Sequence, residues 1–138
     1  MGGILKHIFD SLKARRDYRF DSFAELNKIR WEAYRELWSI SKLIPRWPRK
    51  EKVTLAELES TSVQLRDWYY DGGGILLTER AKSKYLKIQA ELTKSIKDGE
   101  AKGSVEIDFD TYDYLHKVFS ELRTELTIDL MSRETYKS

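Results

Sequence analysis

The chain has 138 residues, with Lys+Arg 25 against Asp+Glu 23 for a formal charge of +2, 41% hydrophobic and 35% charged residues, two Pro and no Cys. A core of this size holds without a disulfide or metal staple, and charge above the usual ~25% with so little proline argues for long solvated helices rather than a β-sandwich or a disordered chain. The lack of cysteine excludes disulfide frameworks, thiolate zinc sites and cysteine nucleophiles.

From Ile4 to Ile44 there is neither proline nor glycine, and apolar residues return at helical spacing. A heptad frame puts Phe9, Arg16, Phe23, Arg30, Leu37 and Ile44 at one seam position. The other holds Leu5, Leu12, Arg19, Leu26, Ala33 and Ile40. Arg16 and Arg19 interrupt the seam, which divides an amphipathic extension (1–16) from a helical domain (17–133) and a short tail (134–138). Pro45 and Pro48 stop the first helix, and Lys42 to Lys52 carries five positive charges against Glu51 alone.

Thr54 and Glu57 have capping-box spacing, which predicts a second helix over 55–70 with Leu55, Leu58, Ser62, Leu65 and Tyr69 inward. Glycines 72–74 end it. Thr78 then caps a third helix over 79–97, with Ala81, Tyr85, Ile88, Leu92 and Ile96 as its stripe. Residues 98–107 read as a loop. Asp110 is expected to cap a fourth helix over 111–133, with Leu115, Phe119, Leu122, Leu126 and Leu130 inward. The expected fold is all-α: an up-and-down four-helix bundle with a long protruding N-terminal helix. Trp31, Trp38, Trp68 and Tyr69 should lie in the core or an interface, because helices need that area to offset chain entropy.

His7 and His116 are the only imidazoles and sit in no metal-ligand spacing. No catalytic motif, phosphate loop or cofactor fingerprint is present, so the chain is expected to be non-enzymatic, without metal or cofactor. The third-helix cations Arg80, Lys82, Lys84, Lys87, Lys94 and Lys97 face acidic residues elsewhere, giving a dipolar surface rather than a nucleic-acid footprint. The longest run free of charged and hydroxyl side chains, Gly72 to Leu77, is too short to span a bilayer. Lys6, His7, Asp10 and Lys13 break up any secretory signal, so the chain is expected in the cytoplasm or at the inner face of the membrane.

Three groups of residues stand out. Ile4, Leu5, Ile8, Phe9 and Leu12 form an apolar helix face opposite Lys6, Lys13, Arg15 and Arg16. This face suits self-association, a protein partner or, through residues 4–16, a membrane surface. Trp68, Tyr70, Gly72, Gly73, Gly74, Arg80 and Lys84 surround a glycine turn that could hold a small anionic, nucleotide-like ligand, although a helix C-cap packed by aromatics accounts for the same pattern. Arg30, Arg66, Asp67, Arg123 and Asp129 are charges on or beside inward faces and predict a buried ion network between helices.

The segments Ala33-Tyr-Arg-Glu-Leu-Trp38, Leu65-Arg-Asp-Trp-Tyr-Tyr-Asp-Gly-Gly-Gly74 and Leu122-Arg-Thr-Glu-Leu-Thr-Ile-Asp-Leu130 resemble small uncharacterised bacterial helical-domain proteins, often membrane-anchored. The resemblance covers about residues 20–133 and implies a shared helical domain but no activity. Together these features predict an interaction or scaffold domain that self-associates or docks a partner through its N-terminal helix. An anion sensor and a peripheral membrane protein are the alternatives.

Overall fold

The computed structural model describes residues 23–131, among which are four long helices. These are α1 (Phe23–Ile40), α2 (Leu55–Trp68), α3 (Glu79–Ala101) and α4 (Phe109–Met131). Each packs on the next in sequence, and α4 returns to α1. Cross-links fix the directions: Tyr34 and Ser41 meet Asp129 and Arg123, while Ser62 and Leu65 meet Gln89 and Tyr85, so both pairs of helices run antiparallel. Leu37, Leu58, Ile88, Leu92, Phe119 and Leu122 are wholly buried at the centre. The fold is all-α, and among the described residues the sole extended pairing is a bridge between Thr54 and Glu106. The expected protrusion toward Ile4 lies outside the described residues.

Hydrophobic periodicity explains most of this packing. On α1 the seam residues Ala33, Leu37 and Ile40 are buried, as is Ile44 beyond it. The α-helix stops at Ile40 rather than at the expected Ile44, because Pro45 disfavours helical geometry at the residue before it. Ser41–Leu43 tighten into a 3₁₀ turn, and the Ser41 hydroxyl donates to the Trp38 carbonyl at 2.6 Å. On α2 the buried stripe is Leu58, Thr61, Leu65 and Trp68, so Thr61 and Trp68 take the central places expected of Ser62 and Tyr69.

The caps follow local chemistry. Thr54 and Glu57 make the reciprocal box, and a hydrogen bond from Lys50 at 2.6 Å is the main reason the Glu57 carboxyl sits below its ordinary pKa. The Thr78 hydroxyl accepts the Ala81 amide, as expected. α3 continues through Asp98 and Gly99 into the segment expected to be a loop, and Gly103, at φ +67°, forms the turn beyond it. The cap of α4 is Asp108 rather than Asp110, its Oδ1 accepting the Thr111 amide at 2.7 Å. The Thr111 side chain, and next this backbone amide, hold the Asp108 carboxyl below its usual range.

The α1–α2 connection is fastened to α4. Arg49 pairs with Asp113 at 2.6 Å and stacks on the Phe109 and Tyr112 rings, while the Lys50 amide donates to the Tyr112 hydroxyl at 2.9 Å. Arg49 and Lys50 are therefore occupied within the fold, whereas Lys42 and Arg46 of the same basic segment form no ion pair among the described residues.

Candidate functional site

The glycine turn is packed from within. Gly72 has φ 132°, a conformation that side chains rarely tolerate. A Cβ on Gly73 would lie 2.4 Å from the Trp68 ring, and one on Gly74 would lie 2.7 Å from the Tyr69 ring. Trp68 itself is 1% exposed and donates its indole N–H to the Ala33 carbonyl at 2.9 Å, so its ring is not free to stack on a ligand. The Gly74 amide is satisfied within the turn. Tyr70 and Arg80 are exposed, and Lys84 is drawn to Glu121 at 3.2 Å. The aromatics and glycines of the turn thus hold one another, while Lys84 is engaged on α4.

The expected buried ion network resolves into two separate arrangements, and neither contains an ion pair. Arg66 and Asp67 face solvent, their side chains 61% and 63% exposed, in a loose pair at 3.7 Å. Adjacent residues on a helix point apart, so the two could not both turn inward. Arg30 donates from Nε to the Leu76 carbonyl at 3.0 Å. Asp129 accepts from the hydroxyls of Tyr34 and Thr78, each at 2.8 Å. Burial, then the Asp129 charge, pushes the Tyr34 hydroxyl far above its usual pKa, so it remains a donor. This cluster ties the α2–α3 connection to α1 and α4.

Arg123 forms the second arrangement. Its guanidinium donates to the Ser41 carbonyl at 3.0 Å, the Ser41 hydroxyl at 3.1 Å and the Ile44 carbonyl at 3.0 Å, bracing the exit of α1 against α4. The residue is only 7% exposed, and no carboxylate among the described residues pairs with it. Burial, and next the Arg46 charge, lowers its pKa, though an arginine keeps its proton.

Arg123 opens onto a groove between α1 and α4. Two continuous cavities form it, of about 630 and 620 Å³, sharing Trp38, Ser39 and Thr127. One wall is a stripe at helical spacing, Trp31, Arg35 and Trp38 of α1, continued by Lys42 in the 3₁₀ turn. The facing wall on α4 carries Ser120, Thr124, Thr127 and Met131. Tyr34, Leu126 and Leu130 form the apolar end, while Arg46, Trp47 and Arg123 form the basic one. Trp31 and Trp38, expected in the core or an interface, are 49% and 48% exposed on this rim, and Trp47 is 84% exposed. They are outside the core because the seam that buries Ala33 and Leu37 turns the neighbouring stripe outward. Its signal in the sequence is Trp-x3-Arg-x2-Trp-x3-Lys, which the heptad frame alone does not single out.

The apolar face of Ile4, Leu5, Ile8, Phe9 and Leu12 falls outside the described residues. No helix among the described residues is long and apolar enough to cross a membrane, and no cluster of three or more His, Asp or Glu side chains there could hold a metal ion. Comparison with protein-family models, curated proteins and solved structures gives no match. The geometry of the groove therefore carries the functional argument.

Proposed function

We propose that this chain is a non-enzymatic interaction domain, an up-and-down four-helix bundle that docks a partner in the α1–α4 groove. The observation that carries this reading is the placement of Trp31, Trp38 and Trp47, three large aromatic side chains exposed along one concavity instead of packed in the core. Tryptophan and arginine beside an apolar floor are the composition of binding hot spots, and a groove of this kind suits a helix laid along it. Self-association or partner docking through Ile4, Leu5, Ile8, Phe9 and Leu12 belongs to the same reading as a second adhesive face.

The test is selection of helical peptides against the full chain from a library unbiased in charge. Selected peptides are expected to compete with one another and to lose about thirtyfold in affinity on Trp38→Ala, the effect of removing a hot spot worth ~2 kcal/mol. The variant's melting temperature should stay within a few degrees of the parent, because the side chain is half exposed. Peptides that bind Trp38→Ala as well as the parent would place docking elsewhere and overturn the reading.

A further inference from the structure

The electrostatics of the groove restrict what can occupy it. Arg35, Lys42, Arg46 and Arg123 line its two cavities, and no Asp or Glu among the described residues does. None of the four forms an ion pair among the described residues. Arg123 is the most demanding of them. A buried charge is normally matched by an opposite one, yet this guanidinium contacts only neutral oxygens and has Arg46 nearby. An arriving carboxylate would meet two cations at the basic end and hydroxyl donors on Ser120 and Thr124.

The segments that flank the described residues in this sequence are net positive. Residues 1–22 hold Lys6, Lys13, Arg15, Arg16 and Arg19 against Asp10, Asp17 and Asp21, five minus three or +2. Residues 132–138 hold Arg133 and Lys137 against Glu134, two minus one or +1. Either would bring positive charge to a positive groove. The wall from Trp31 on α1 to Lys42 in the 3₁₀ turn extends about 16 Å at ~1.5 Å per residue, or about three helical turns. Its alternation of aromatic and cationic side chains matches a partner helix whose apolar stripe is flanked by acids. A membrane would favour the same charges, but the hydroxyl-lined wall of α4 and the floor below the tryptophan rims form a concavity, which fits a helix better than a bilayer surface.

We propose that the groove receives an acidic amphipathic helix of another protein, its apolar stripe seated between Trp31 and Trp38 on α1 and Leu130 and Met131 on α4, with a carboxylate over Arg46 and Arg123. This rests on the reading of the groove as a docking surface and specifies its partner.

The experiment uses two labelled peptides of about 18 residues that share one leucine stripe at helical spacing, flanked by glutamate in one and by lysine in the other. Fluorescence anisotropy with the full chain should show the acidic peptide binding at least about tenfold more tightly, with the gap narrowing as salt rises. In a variant carrying Arg35→Glu, Lys42→Glu and Arg46→Glu, all exposed positions, the preference should reverse while helicity is kept. Equal affinity for both peptides would overturn the proposed partner while leaving Trp38-dependent docking intact. Failure of the acidic peptide where library-selected peptides bind would do the same. Two further results would overturn it: flotation with phosphatidylglycerol vesicles without acidic-peptide binding, or self-association of the full chain that the charge-reversed variant abolishes.

Discussion

Replacing Trp68 with alanine should cost about 3–5 kcal/mol of folding stability, a large part of the ~5–15 kcal/mol typical of a whole domain. The side chain is 1% exposed, and it bonds the Ala33 carbonyl of α1 through its indole nitrogen. Its ring lies against Gly73 and tilts toward Tyr85, with centroids 6.2 Å apart. Truncation therefore leaves a cavity at the junction of three helices and removes the side-chain bond that ties α2 to the α1 backbone. Gly73→Ala probes the same contact from the other side, since its new Cβ would have to displace the ring. Trp47→Ala, at a position 84% exposed, should change stability by less than about 0.5 kcal/mol. Urea denaturation measures all three, and a Trp68→Ala loss no larger than that of Trp47→Ala would contradict the packing described.

Arg123→Met should cost about 1–3 kcal/mol. Methionine fills comparable space but leaves the Ile44 carbonyl without its donor, at ~1–3 kcal/mol for a buried orphan, and leaves the Ser41 carbonyl with the Ile44 amide alone; removal of a buried charge partly offsets this. Lysine should not rescue the fold fully, because a single ammonium cannot reproduce the planar fork that reaches both carbonyls. Arg66→Met, at a solvent-facing position in a loose surface pair, is the control and should be nearly neutral. Parity between Arg123→Met and Arg66→Met in urea would show that the brace at the end of α1 contributes nothing.

The two effects also mark what the sequence makes legible. Local rules carry far: the spacing of Ala33, Leu37 and Ile40, the Thr54–Glu57 box, the Thr78 cap and the positive φ at Gly72 all rest on neighbours a few residues apart. Asp108 and Asp110 are two residues apart and equally able to cap, so composition alone could not choose between them. Long-range partners are harder. Asp129 receives the Tyr34 hydroxyl across 95 positions, and Arg123 reaches Ser41 across 82. A charge on an inward face announces that it needs partners, but not that they are hydroxyls and carbonyls instead of opposite charges. The groove shares this difficulty. Half of it, the Trp31–Arg35–Trp38–Lys42 stripe, is written at helical spacing, whereas the hydroxyl wall of α4 that makes it concave joins it only through folding.

The central claim, that the α1–α4 groove is a docking surface, is tested most directly by the indole N–H signals of the four tryptophans in two-dimensional ¹H–¹⁵N spectra. Trp31, Trp38 and Trp47 line the groove, while Trp68 is buried with its indole bonded to Ala33, so the protein carries its own internal control. On titration with the glutamate-flanked leucine peptide, the Trp31, Trp38 and Trp47 signals should move together and saturate together, with Trp68 nearly still. A bound peptide that leaves those three signals in place, or that moves Trp68 alone, would contradict the account.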